Sequence, residues 1–436
     1  MFPLEAEEFQ SKGGDAREIP SLLMLCLTAF WPPQWVFFPG IQFVGAGVAG
    51  IRSKVFLPIA RLCYSDVMNE VPDPEKSSRR ELLNGRRRDA TPDEKLSTSK
   101  DSPPAGSGTM RLSARAMACD FSVILNPGHS AAVETAGIGL EMIAAVEAWL
   151  SPYRTSSELS RVNREAAASP CRIRGDFFEL LQLAEQLWKA TDGHFDFASG
   201  ALGTVWRAAR KEGEIPQEEA VQRALEISGF QHVVLNAETL EVSLLKPGVC
   251  LDPGAIGKGF ALDQVADWLR EQEDFPKSFL LHGGHSSLLA SGRHAGHLGW
   301  PVGLGNPLLT EKRMATVLLN EQALATSGSN IQFFRHQGRR MGHILDPRTG
   351  WPVEGMLSVT VLAASAATAD ALSTAFFAMG IEKAVECCQR MADIAAILVP
   401  FPERGVRLRP VVVGGSQIEI WWDDQQVEVD YSDAGL

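Results

Sequence analysis

Hydrophobic and polar positions divide this chain into three stretches of different texture. Residues 1–68 carry two apolar runs, IPSLLMLCLTAFW and WVFFPGIQFVGAGVAGI, separated by Pro32 and Pro33. Residues 69–109 are polar and charged, with no aromatic residue and no apolar period, and read as a disordered linker. From 110 to 436 short apolar runs mix with helical periodicity. FSVIL, HVVLN, EVSLL, SFLLH, MATVLLN, LSVTVLA, AAILVP and IEIWW predict strands. One helix is predicted to start at Asp176, which stands three residues before Glu179 in a capping-box spacing; Leu180, Leu183, Leu187 and Trp188 form its stripe and Gly193 its end. Others are predicted over Ser130 to Trp149, over Ala261 to Arg270, and from a Thr368 cap to Gly380. Strands often succeed one another without a helix between them, which favours an α+β fold over a regular βαβ winding.

Composition narrows the classes. Of the 436 residues 45% are hydrophobic, enough for a large core, and the formal charge of −12 argues against a nucleic-acid binder. Seven scattered cysteines give neither a disulfide framework nor a zinc spacing, which leans towards a reducing compartment and slightly favours the cytoplasm. The start is mostly acidic and makes a poor secretory signal. The run from Trp35 to Ile51, about 17 residues, lies at the lower edge of membrane-spanning length. It leaves membrane association or a poorly ordered extension open.

Several short stretches carry candidate chemistry. LDPGAIGKGFALD sets glycines around Lys258 where a strand pattern gives way to a helical one. Only two residues separate Gly254 from Gly257 and no hydroxyl follows Lys258, so it is neither a P-loop nor a dinucleotide turn. In ATADALSTAFFAMG, Asp370 and Thr374 stand four apart on one helical face. A carboxylate with a hydroxyl suits a hard cation, but equally a helix dipole and a back-bonded threonine. GHILDPRTGWP puts His343 and Asp346 in a Pro/Gly turn, where His343 could serve as a base near neutrality or as an ordinary hydrogen-bonded residue. TDGHFDFASG places Asp196 between Phe195 and Phe197, which could sandwich a planar ring or pack in the core. LLHGGHSS and ATSGSN are small-residue turns that would let a ligand approach the backbone.

Taken in order, SPYRTSSELSRVN, TDGHFDFASGALGTVW, LDPGAIGKGFALDQVADWL, LLHGGHSSLLASG, ATSGSN and GHILDPRTGWPVEGMLSVTVLAASAATADALSTAFFAMG closely resemble the ApbE-type FAD:protein FMN transferases. The resemblance runs from about Arg111 to the last strands. It implies a mixed, largely antiparallel set of sheets flanked by helices, with an active site in a crevice between subregions. It implies Mg²⁺-dependent transfer of FMN from the substrate FAD to a threonine or serine hydroxyl, with release of AMP. The acceptor would be a flavoprotein, a redox subunit with a Ser/Thr-rich segment. By position, Asp370, Ser373, Thr374 and the Ala255 carbonyl would hold the metal. Met117, Tyr153, His194, Phe195, Asp196, Asp252, Lys258 and Ile344 would contact FAD. His343 would activate the hydroxyl with Asp346 as its neighbour, and Lys258 would neutralise charge. The helix N-terminus ahead of Asp370 would favour an anion nearby.

Three sites depart from the family pattern: Ala118 and Cys119 where Gly-Thr is frequent, His285 where aspartate is usual, and Pro253 where leucine is common. Two other activities use the same residues and stay open, an Mg²⁺-dependent FAD pyrophosphatase and a non-catalytic FAD-binding protein.

Overall fold

The computed structural model describes residues 108–329, 333–423 and 427–431. The expected apolar extension and nearly all of the charged linker lie outside these residues. No helix among the described residues is long and apolar enough to cross a membrane.

A nine-stranded sheet organises the domain. Its strands are β1 (Met110–Ala116), β2 (Cys119–Leu125), β3 (Phe279–Gly283), β4 (Ser287–Ser291), β5 (Gln322–Gly328), β6 (Met356–Ala363), β7 (Ala395–Pro400), β8 (Val411–Val413) and β9 (Asp430–Tyr431). They lie side by side in that order. Every neighbouring pair is antiparallel except β8 with β9. The excursions between them build the rest of the domain.

One face of the sheet is covered by α1 (Val133–Leu150), α2 (Gly257–Glu271), α3 (Ala366–Met379) and α4 (Ile381–Gln389). On the other face a three-stranded sheet of Trp300–Gly305, Arg313–Leu319 and Glu419–Trp422 closes a second apolar cluster. Leu281, Leu289, Val359 and Leu398 point to the helices, whereas Leu280, Leu288, Leu362 and Ile397 point to the small sheet. This explains why β4 and β6 are buried at every position and why LSVTVLA and AAILVP show no polar alternation. The α+β architecture with a largely antiparallel sheet matches the expectation.

Between β2 and β3 the chain leaves the sheet to form further helices and the small sheet of Cys171–Arg172, Glu241–Leu244 and Val233–Asn236. Trp149 at the end of α1 packs against Phe177 with the rings tilted at 5.4 Å and meets Phe260 of α2 edge-on at 6.1 Å. That contact fixes the first turn of α2, where Lys258 stands.

Helix starts moved from their predicted places. The helix expected from Asp176 runs Gly175–Ala190 with Arg174 as its N-cap, and the Asp176 carboxylate accepts from Phe177 N–H and from Arg174. α3 begins at Ala366, with Ser365 as the cap accepting from the Thr368 N–H. Thr368 is therefore inside the helix. α2 starts four residues before Ala261, so both Gly257 and Gly259 are helical. Gly380 ends α3 with φ 75°, as a closing glycine should.

Candidate functional site

The N-terminal turns of α2 and α3 meet almost backbone to backbone. A Cβ on Gly259 would lie 2.1 Å from the Ala366 carbonyl oxygen, so no larger residue fits without parting the helices. Asp370, only 4% exposed, reaches across this contact. Its Oδ2 accepts from the Gly259 N–H at 2.7 Å and its Oδ1 from the Ser287 hydroxyl at 2.5 Å. The Lys258 ammonium lies 3.9 Å from Oδ2. The carboxylate therefore serves a tertiary contact and does not cap its own helix.

Beside it stands a group of hydroxyls. Ser373 Oγ donates to the Asp370 carbonyl at 2.9 Å and Thr374 Oγ1 to the same oxygen at 3.3 Å. Ser327 on β5 bridges both, at 2.9 Å from Ser373 and 3.1 Å from Thr374. Back-bonding of Thr374, the ordinary reading of its spacing, is real. It leaves hydroxyl lone pairs available to a further partner.

Among the described residues no cluster of three or more His, Cys, Asp or Glu side chains is placed to hold a metal ion. The resemblance would have a cation at Asp370 completed by the neutral oxygens of Ser373, Thr374 and the Ala255 carbonyl, and by oxygens of a ligand. One carboxylate with hydroxyl and carbonyl oxygens fits Mg²⁺, which takes oxygen donors and keeps room for phosphate.

The expectation of an anion at the N-terminus of α3 is corrected. Asp263 of α2 already occupies that end, accepting from the Ala366 N–H at 2.7 Å, the Ala367 N–H at 2.8 Å and the Ser365 hydroxyl at 2.8 Å. A second anion would meet a carboxylate there. Burial pushes Asp263 up to about 6 even though these donors favour its charged form.

Of the expected FAD contacts, the His194–Asp196 loop is tied to the Asp252 loop and to Arg348, whereas among the described residues no hydrogen bond links Met117 or Tyr153 to them. Asp252 donates its N–H to the Phe197 carbonyl, pairs with Arg207 at 3.1 Å and accepts from the Gly254 N–H. His194 is buried; its Nδ1 lies 2.8 Å from the Thr191 carbonyl and its Nε2 3.0 Å from Arg348 Nη1. An arginine can only donate, so Nε2 accepts and the proton sits on Nδ1. Asp196 accepts from the Ala198 N–H, and burial pushes its carboxyl up to about 7. The Phe195 ring is 1% exposed in the core, as is Phe197, so neither ring sandwiches a ligand and Phe195 could offer only its backbone. Tyr153 is 77% exposed.

His343 is exposed at the end of the hairpin Phe333–His336 with Arg339–Gly342, and Ile344 beside it is buried. Asp346 turns inward to accept from the Arg348 N–H at 2.9 Å and shapes the turn. Cavities of about 320 and 260 Å³ flank the hairpin, the first lined by Arg340, Gly342 and Met356, the second by Met341, Trp351 and Pro352.

Met117 and Ala118 form the two-residue turn between β1 and β2 with φ of 48° and 61°. Cys119 packs on Gly284 and is held above its ordinary range by burial, with the nearby Lys258 charge opposing. It thus borders the site, while His285 is exposed. Pro253 is tolerated because its carbonyl, not its nitrogen, serves the turn, accepting from Ile256 and Gly257. Reading from sequence missed Ser287, Ser327, Asp263, Arg207 and Arg348 as members. Ser287 and Ser327 lie in the small-residue stretches already singled out, but on strands β4 and β5 and not in turns, and Asp263 ends the lysine motif.

Comparison with known proteins shows which family the chain is similar to. The ApbE family model matches residues 117–398. An FAD:protein FMN transferase of Klebsiella pneumoniae (strain 342) is 31% identical over 261 residues, covering 59% of this chain and 80% of the relative. One of Haemophilus influenzae is 34% identical over 269 residues, covering 60% and 76%. The solved flavin transferase ApbE of Vibrio cholerae superposes with a TM-score of 0.61 at 25% identity, covering 70% of this chain and 97% of that one. The apo Pseudomonas stutzeri flavinyl transferase ApbE gives 0.62 at 27%, covering 71% and 96%. With its lysine, aspartate and histidine motifs all inside the matched span, the chain belongs to the ApbE family.

Proposed function

We propose that this protein transfers FMN from FAD to a threonine or serine hydroxyl of an acceptor protein and releases AMP. The observation that carries the reading is the α2–α3 junction. There a buried carboxylate, a lysine and a set of hydroxyls converge in a chain whose relatives bear the name FAD:protein FMN transferase.

The chemistry follows from the parts. The acceptor Oγ attacks the FMN phosphorus, the bond from that phosphorus to the AMP oxygen breaks, and AMP leaves. Asp370, Ser373, Thr374 and the Ala255 carbonyl would hold Mg²⁺, which supplies charge neutralisation for the pyrophosphate when bound. Lys258 adds a fixed positive charge at the same place. His343 takes the hydroxyl proton, and its exposed position lets a protein segment reach it. Asp346 shapes the turn that presents His343. His194, Asp196 and Asp252, tied to one another's loops through Phe197, with Tyr153, Met117 and Ile344, hold the FAD.

Exposure of His343 also favours a second reading, FAD hydrolysis to FMN and AMP with water in place of the acceptor. Incubation with FAD, Mg²⁺ and an acceptor domain bearing a Ser/Thr-rich segment separates them. Transfer gives one AMP per flavinylated acceptor, and Asp370→Ala gives neither product. AMP formed at the same rate without acceptor would establish hydrolysis instead.

A further inference from the structure

The two helices that meet at the site are joined by a reciprocal clasp. Asp370 of α3 accepts from an N–H in the first turn of α2, that of Gly259. In return Asp263 of α2 accepts from two N–H groups in the first turn of α3, and from the Ser365 hydroxyl that caps it. The pairs are far apart in sequence, Gly259 and Asp370 by 111 positions and Asp263 and Ala366 by 103. Each helix thus offers a carboxylate to the other's unsatisfied N-terminal donors. The two carboxylates are not equivalent. Both Asp263 oxygens are turned into the clasp, whereas the Asp370 carboxylate also faces Lys258 and accepts from the Ser287 hydroxyl, and its backbone carbonyl takes the Ser373 and Thr374 hydroxyls.

We propose that Asp263 is a positioning residue that fixes the first turn of α3, and so sets how tightly a divalent cation is held at Asp370. This rests on the proposed role of Asp370 as a cation ligand. With Asp263 in place the helix pairing does not depend on Asp370 alone, and Asp370 keeps lone pairs for a cation. Without it the first turn of α3 loses three bonds. Asp370 then becomes the remaining carboxylate tether between the helices, held by Gly259 and Ser287. The carboxylate and the Thr374 hydroxyl, one turn further along, would no longer be held at a fixed offset from Lys258 and Ala255.

The test uses the full chain and Mn²⁺ as the probe, with bound and free ion counted by electron paramagnetic resonance in the presence of FAD. Flavin fluorescence reports FAD affinity without metal. Asp263→Asn keeps the shape but presents an amide N–H₂ to donors; it should raise the Mn²⁺ half-saturation by about tenfold or more, with metal-free FAD affinity within about twofold. Asp263→Glu should recover part of the loss. Ser365→Ala removes one of the three bonds and should shift Mn²⁺ binding by about two- to fivefold, which gives a reading even where the Asn variant does not fold. A merely structural role would lower thermal stability and both affinities together. Wild-type Mn²⁺ affinity in Ser365→Ala, and in Asp263→Asn wherever that variant folds, would overturn the inference while leaving the function untouched. Mn²⁺ binding unchanged in Asp370→Ala would overturn the ligand assignment, and the inference with it.

Discussion

The α2–α3 junction and the rim of the site are built on opposite plans. At the junction all four carboxylate oxygens of Asp263 and Asp370 accept hydrogen bonds, and the backbones touch at a glycine. At the rim Tyr153 and His343 stand exposed, and the cavities beside the hairpin open to solvent. The contrast fits the proposed function. A cation and a pyrophosphate bound at the junction would need fixed charges that pay no reorganisation at the moment of reaction. A flavin and a protein segment are large and must enter from outside, so their contacts complete only on binding.

Short of the abolition expected for Asp370→Ala, the largest expected effect attacks the rim. His343→Ala should lower the rate of flavin transfer by about 10²- to 10⁴-fold, the usual contribution of a positioned base, with FAD affinity unchanged. Stopped-flow binding and single-turnover assays measure the two separately.

The next attacks the junction. Gly259→Ala forces a methyl into the Ala366 carbonyl, a backbone atom that cannot swing away. A cost of about 3 kcal/mol is expected, which for a domain of this size is a Tm lower by about 5 °C. Calorimetry checks it, and the metal requirement should rise in parallel. An alanine variant with unchanged Tm would mean the helices are less tightly joined than described.

A smaller effect concerns pH. Burial raises Asp196 to about 7 and Asp263 to about 6 in the folded chain. The folded state then binds protons that the unfolded state has released. These groups contribute stability that is full below their unfolded values and is lost as pH rises through about 6 to 7. Thermal stability from these two groups should fall from about pH 4 to pH 7 and then level off, and Asp196→Asn should flatten the upper part of that fall. The smallest effect is at the β1–β2 turn. Ala118 at φ 61° sits where glycine is unstrained, so Ala118→Gly should stabilise by about 0.5–1 kcal/mol, near 1 °C in Tm.

The same contrast governs what could be read from sequence. Strands such as LSVTVLA and AAILVP were legible because burial on both faces leaves an unbroken apolar run. Asp370 and Thr374 were legible as a pair because i,i+4 spacing is local. The start of α3 was not, because its cap combines Ser365 with a carboxylate from another helix. Asp263 and Ser287 likewise become members of the site only when β4, α2 and α3 are brought together. Resemblance placed Phe195 among the FAD contacts. Its burial shows why motif position alone does not say which atoms face a ligand.

One measurement bears on the whole account most directly: AMP released and acceptor flavinylated, counted together for the wild-type chain, Asp370→Ala and His343→Ala. A prebuilt junction and an open rim predict equal yields of both products in the wild type and neither in Asp370→Ala. They predict slow but still equal yields in His343→Ala. Flavinylation at the wild-type rate in Asp370→Ala would contradict it.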